Sequence, residues 1–497
     1  MLLAGLTASA QQLRRGDCTP PSEAMGTRAA VHRLPAINKS WNPYTTYRQL
    51  VILMSFSDCD FLAEDPQATY DSIFNVRGYN QGAGPGCVAD YFREQSGGLC
   101  NLQFDVYGPI KLSSQACPYT NPTDNTRNYG REQLAAATTE FFRQNAEIDY
   151  KQYDWDGDGY VNQIIYVYAG YSGNQGGDSN GHIWPNTSTF NSTMTCPDGT
   201  RVYNYTCSGE LWLNNCLFGI GTICHEYSHS LGLPDIYPTS SAVSLYSVVD
   251  EWDLMDGGNY SNFGWCPPNY SPLEKILLGW LTPNELTEPM PITDMKSISD
   301  GGPVYIVHHT ENEYLLLENR QWRGWDSALP GNGLVIYHVD YSADRWRSNT
   351  VNASNPLCYQ LVPADNRNYD DWETVMGSSY PYRNSNRMNN RYMSTAAYPY
   401  VEDGVVVNQE LTDSSVPSAL MNKANGEGSL YLSLPITDIQ QSEDGLVSFR
   451  FRSDILDGIR EVEISERKPV YYDLQGRRIS QPRSGLYIRN GKKVIVH

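Results

Sequence analysis

His225-Glu226-Tyr227-Ser228-His229 is the constellation in this chain best equipped for chemistry. On a helix, residues four apart lie on one face, so both imidazoles can reach one ion. Nitrogen donors at that spacing suit Zn2+. An ion held there would acidify a bound water to a pKa near 7 and polarise a carbonyl. Glu226, beside the pair, is placed to accept that water's proton and later donate it to a leaving amine. The run continues Ser230-Leu231-Gly232-Leu233-Pro234-Asp235. Gly232 can take the left-handed conformation that ends a helix, and Pro234 prevents its continuation. The chain therefore turns sharply after His229 and can bring Asp235 back as a third ligand. Two His and one carboxylate leave a fourth position open, the arrangement of a catalytic rather than a structural site. Glu251, some twenty residues downstream, is the alternative third ligand. The compact Gly232 turn favours Asp235.

A second cluster is Asp154-x-Asp156-x-Asp158, followed by Gly159 and Asn162. Its alternating carboxylates resemble a calcium loop, but the position that should carry an acid is Ile165. Calcium here competes with a plain Asp/Gly turn feeding a strand. His182, His308, His309 and His338 read as structural. Cys224 reads as a packing residue on the buried face of the His225 helix, because nothing nearby completes a Cys/His pair. Tyr260, five residues past Met255, is not assigned a role.

These residues need a scaffold. Leu50–Phe56 is an apolar run typical of a buried strand, and Cys87–Gln95 has helical spacing closed by Gly97-Gly98. Leu102–Val106 alternates like a strand, Arg131–Phe142 is rich in helix formers, and Asn162–Ala169 is another buried strand. That order predicts an α/β half with a mixed sheet, followed by the active-site helix Cys224–Leu231. Pro272–Leu281 reads as one more helix, and Pro283, Pro289 and Pro291 mark a boundary. Beyond it Tyr314–Glu318, Gly333–Val339, Gly404–Val407 and Val447–Phe451 are strand-like, which predicts a β-sandwich-type second domain.

The bulk numbers set limits. At 497 residues the chain exceeds one ordinary core. Its net charge of −20 argues against nucleic acid, which requires a basic face. No apolar run is long enough to span a membrane. Residues 1–10, MLLAGLTASA, read as a signal-peptide remnant with a small-residue cleavage pattern. Residues 11–45 are polar and Pro-interrupted, a lead-in or pro-segment remnant. The eleven cysteines leave at least one thiol outside any internal pairing, and no CxxC is present. The reading is therefore 46–290 catalytic, 291–455 β-rich, and 456–497 a separate tail. That tail carries nine Lys/Arg against five Asp/Glu, reversing the acidic balance of the rest.

His225–Asp235 (HEYSHSLGLPD) resembles the extended zinc motif of metzincin-type proteases, with Asp replacing the usual third His. Trp252–Gly258 (WDLMDGG) looks like their Met-turn, with Met255 beneath the metal. More narrowly, the chain resembles the immune inhibitor A family of secreted bacterial metalloproteases. Asp154–Val161, Ala169-Gly170-Tyr171 with Ile183-Trp184, Glu313–Arg320 and Leu329–His338 carry that likeness across roughly residues 48–450. The resemblance implies peptide-bond hydrolysis with one catalytic zinc, on protein or peptide substrates outside the cell or at its surface. The tail, through Val470–Arg478 and Gly485–Lys493, resembles sorting domains of type IX secretion in Gram-negative bacteria. That likeness implies a partner in the outer-membrane secretion machinery. Two other functions compete: a surface binding or adhesion protein that keeps the zinc without turnover, and a metalloesterase or sugar deacetylase. The intact set of Glu226, both His and Asp235 argues against the first, and the helix motif with its Met-turn against the second.

Overall fold

The structure, a computed structural model, describes residues 41–117, 128–174, 181–212, 215–240, 242–243, 247–376 and 392–452. In the last segment it describes 471–472, 478–479, 484–489 and 492–496. The signal-like start and nearly all of the lead-in fall outside the described residues. The chain divides into two compact units after Arg452.

The site-bearing half is built on β1 (Thr46–Ser55), α1 (Pro66–Asn75), α2 (Val88–Gln95), β2 (Asn101–Lys111) and α3 (Arg131–Gln144). It continues through β3 (Tyr160–Val161), β4 (Ile164–Tyr171), β5 (Asn186–Thr195), β6 (Arg201–Trp212), β7 (Cys216–Leu217), α4 (Gly221–Ser230) and α5 (Pro272–Leu277). Strands β2, β1, β4 and β6 run parallel in that order, and β3 adds a short parallel pairing at the start of β6. Strands β5 and β7 pair antiparallel with β6, so the sheet is mixed.

The continuous apolar run in β1 has a simple cause. Val51 and Leu53 face one core with α1, α2 and α4, while Leu50, Ile52 and Met54 face a second core with α3. A strand covered on both faces has no polar side to alternate with. Helix α1 is capped by Asp65, which accepts from the Ala68 amide, and begins with Pro66. Helix α5 is shorter than its sequence pattern, because Gly279 takes a φ of +74° soon after its end.

The chain continues with β8 (Asn284–Glu285), β9 (Met290–Met295), β10 (Tyr305–His308), β11 (Glu313–Arg320), β12 (Gly333–Asp340) and α6 (Ala343–Arg347). Then come β13 (Tyr359–Leu361), α7 (Tyr369–Met376), β14 (Tyr400–Glu402), β15 (Val405–Asn408), β16 (Ile436–Gln441) and β17 (Val447–Phe451). One five-stranded sheet has the order β13-β12-β11-β10-β8, and a three-stranded antiparallel sheet has the order β16-β17-β9. Leu315, Leu317 and Ile336 of the first share a core with Ile292, Ile439 and Phe449 of the second. The opposite face of β11 and β12, through Leu316, Val335 and Tyr337, joins the core that holds Tyr227 of α4 and Met255. Packing is therefore continuous across position 290.

The second unit contains β18 (Tyr471–Tyr472), β19 (Arg478–Ile479), β20 (Gly485–Arg489) and β21 (Lys492–Val496), paired antiparallel in the order β19-β18-β20-β21. Among the described residues no helix is long and apolar enough to cross a membrane.

Candidate metal centre

Helix α4 is buried from Gly221 to His229. It starts against the backbone of Asn259: a Cβ on Gly221 would lie 2.0 Å from that residue's carbonyl oxygen, so only glycine fits. Ile223, Cys224 and Tyr227 pack into the large core. The helix ends in a Schellman turn. The Leu233 amide donates to Ser228 O at 3.1 Å, the Gly232 amide to His229 O at 3.0 Å, and Gly232 has a φ of +99°. Pro234 and Asp235 are thereby carried back over the helix face that bears the histidines.

Both imidazoles are oriented by backbone carbonyls. His225 Nδ1 is 2.8 Å from Leu254 O, and His229 Nδ1 is 2.7 Å from Leu233 O. Each Nδ1 must therefore donate to its carbonyl, which leaves each Nε2 as the nitrogen facing inward. Each Nε2 lies 3.3 Å from Asp235 Oδ1, and all three side chains are at most 4% exposed. Neither Nε2 has a hydrogen-bond partner. Buried polar atoms normally find one. Two imidazole nitrogens and a carboxylate oxygen, all within 4.8 Å of one another, form a set that fits a divalent zinc ion.

The electrostatics agree. Burial opposes a charge on His229, yet the adjacent Asp235 outweighs it and pushes the imidazole up to about 9. Burial would likewise raise the Asp235 carboxyl, but the His229 and His225 imidazoles hold it well below the usual carboxylate range. The cluster calls for a positive charge at its centre.

A turn around Met255 supports the cluster through its backbone carbonyls. Asp253 Oδ1 accepts from the Met255 amide at 2.7 Å. Asp256 closes the turn by accepting from Ser247 Oγ at 2.6 Å and from the amides of Val248, Val249 and Asp250 at 2.9–3.0 Å. Met255 is fully buried, and its carbonyl accepts from the Ile236 amide at 2.9 Å. One turn thus holds the His225 ring through Leu254 and the chain next to Asp235 through Met255.

Residues 46–275 match the immune inhibitor A peptidase M6 catalytic domain. The segment that carries the site is thus similar to that peptidase domain. Immune inhibitor A of Bacillus thuringiensis subsp. alesti is 25% identical over an alignment of 296 residues that covers 50% of this chain and 42% of that protein. The pre-pro-metalloprotease PrtV of Vibrio cholerae serotype O1 (strain M66-2) is 24% identical over 221 residues, 40% of this chain and 24% of that protein. The chain spans less than half the length of these curated relatives.

Within the peptidase domain, Glu226 is fully buried and close enough to His229 to favour its charged form. Its backbone carbonyl accepts from Thr187 Oγ1 of β5 at 2.5 Å, which ties the edge strand to the helix. Glu251 is also buried but does not join His225 and His229 in the metal-competent group. Tyr260 packs with Trp212 and Phe218 and takes a hydrogen bond from Asn174. Burial raises the Cys224 thiol well above its ordinary value, so it is a packing group rather than a nucleophile.

Asp154, Asp156 and Asp158 do converge, within 4.8 Å. The loop also satisfies itself: Asp154 accepts from the amides of Gly157, Asp158 and Gly159 at 2.8–3.1 Å. His338 Nε2 donates to Glu313 Oε1 at 2.8 Å in a buried pair on neighbouring strands. Arg320 is clasped by Asp326 and Glu318 at 2.6–2.8 Å, so the Glu313–Arg320 motif is scaffold. One contributor escaped the sequence reading. Asn349, beyond the peptidase domain, hydrogen-bonds both the backbone and the side chain of Asp235. No spacing rule links positions 114 residues apart.

Proposed function

We propose that this chain is a secreted zinc-dependent endopeptidase, with His225, His229 and Asp235 as ligands and Glu226 as the general base. The convergence of two inward-facing Nε2 atoms on Asp235 Oδ1, inside a peptidase-family segment, carries this reading. When bound, zinc supplies Lewis acidity toward the scissile carbonyl and acidifies the attacking water. Glu226 takes that water's proton on a carboxylate oxygen and delivers it to the leaving amine nitrogen. Leu254 O and Leu233 O hold the two rings so that no reorganisation precedes binding. Burial of the cluster keeps bulk water from screening these charges.

The test is cleavage of casein or a peptide library with and without a chelator, alongside Glu226→Ala. Equal cleavage by wild type and variant removes the proposal. Metal content of Asp235→Ala and Glu251→Ala decides the third ligand: loss of zinc in the Glu251 variant alone would reverse the assignment.

The wider reading has three further parts. Residues 291–455 are a sandwich-type domain, supported by the core shared between the five- and three-stranded sheets. A calcium ion between Asp154, Asp156 and Asp158 is supported by their convergence, and calorimetry that records no heat on calcium addition to chelator-treated protein removes it. Export runs through the C-terminal segment, which is a compact unit of its own, toward outer-membrane secretion machinery. Retention of a periplasmic reporter fused to residues 456–497, in a host with type IX secretion, counts against that.

A further inference from the structure

Asp235 is not held by the peptidase domain alone. Asn349 Nδ2 donates to Asp235 Oδ2 at 2.7 Å, and Asn349 Oδ1 accepts from the Asp235 backbone amide at 2.6 Å. The two ends of one amide therefore grip the two ends of one residue. With Oδ2 engaged, Oδ1 is the oxygen left facing the histidines, 3.3 Å from each Nε2. The next residue is pinned as well: Asn352 Nδ2 donates to Ile236 O at 2.8 Å. Asn352 Oδ1 meanwhile accepts from the amides of Cys358 and Tyr359 at 3.0 and 3.1 Å. Both asparagines lie outside residues 46–275.

The competing account is local. Asn349 follows helix α6 and its Ser348 cap, and has a φ of +56°. Asparagine tolerates that left-handed position better than most residues, and glycine tolerates it best. Asn349 could thus be present only to end α6. The bidentate grip is what that account leaves unexplained, because a helix terminator needs no partner on a metal-ligand loop.

We propose that Asn349 is a positioning residue for the zinc site, fixing the rotation of the Asp235 carboxylate so that Oδ1 faces the ion. The proposal rests on the reading of Asp235 as the third ligand. It assigns part of the metal site to residues beyond the peptidase segment.

Asn349→Gly separates the two accounts, since glycine keeps the backbone conformation and removes the grip. Zinc affinity of the full chain is measured by competition with a chromogenic chelator, and ligand geometry by the visible spectrum of the cobalt-substituted protein. Loss of a group that orients a ligand typically weakens metal binding by about 10–100-fold. The glycine variant is expected to show that loss and an altered cobalt spectrum, while the chelated protein melts as the wild type does. Wild-type zinc affinity together with an unchanged cobalt spectrum would overturn the proposal and leave Asn349 as a helix terminator. Asp235→Ala is run in parallel. If it binds zinc as the wild type does, the ligand reading fails first and takes the grip with it. If it loses zinc while Asn349→Gly does not, only the grip fails.

Discussion

His225 Nδ1 lies 2.8 Å from the carbonyl oxygen of Leu254, the residue before Met255. A metal-site imidazole is thus aimed by the backbone of a turn whose Met255 side chain is fully buried. The position of Leu254 O depends on how well Met255 fills its place. Truncation to Met255→Ala is expected to cost about 2–5 kcal/mol of stability and to loosen the His225 ring. Met255→Leu, which conserves volume, should cost less than about 1.5 kcal/mol. Urea denaturation of both variants measures this, and equal stability of the alanine variant and wild type would contradict it.

Glu226 is assigned the proton transfer and no ligand bond. Glu226→Gln keeps shape and removes the basic oxygen. It should lower kcat by about 10²–10⁴-fold. Zinc stoichiometry by elemental analysis should stay at the wild-type value. Coincident loss of zinc and activity would instead make Glu226 part of the metal-binding set.

The charge state of the cluster gives a pH prediction. Without an ion, burial opposes a proton on His229, but Asp235 outweighs it and lifts the imidazole to about 9. A raised imidazole stabilises the fold fully below its ordinary value of about 6.5, and that contribution is lost as pH rises through about 9. The depressed Asp235 carboxyl contributes above about 3.9 and loses its contribution as pH falls through its lowered folded value. The chelated protein therefore draws most stability from this pair between about pH 4 and 6.5. Zinc binding at pH 7.5 must expel the His229 proton, because the ion takes the same lone pair. Calorimetry in buffers of different ionisation enthalpy should record release of about one proton there, falling toward none above pH 9. No proton release at pH 7.5 would show that His229 is already neutral.

What the sequence could convey here was local. His225, Glu226 and His229 share one helix, so their relation follows from helical periodicity alone. The turn to Asp235 follows from Gly232 and Pro234, again within a few residues. The buried strands β1 and β4 were legible because both faces are covered, which leaves an unbroken apolar run. Strands β5 and β6 were not, since Asn186, Ser188, Thr206 and Glu210 are buried yet polar and hide the pattern. The boundary at Pro283–Pro291 was read from composition. Composition does not report that Leu316 and Tyr337 pack into the same core as Met255. Asn349 was invisible for the same reason: its meaning comes from a contact made only in the folded chain.

Gly232 joins the local and the long-range halves of the site. Its φ of +99° ends α4 and sets the path to Asp235, three residues on. An alanine there meets the left-handed penalty, about 1–2 kcal/mol. The turn can lessen that strain only by opening, which moves Asp235 Oδ1 away from the two Nε2 atoms. Gly232→Ala should therefore lower the melting temperature of the zinc-loaded protein more than that of the chelated protein, because zinc stabilises in proportion to its affinity for the folded state. Gly232→Asn, better suited to positive φ, should fall between alanine and wild type. Scanning calorimetry of the three proteins, loaded and chelated, makes the comparison. Equal losses in both states would mean that the turn serves the helix alone and not the metal.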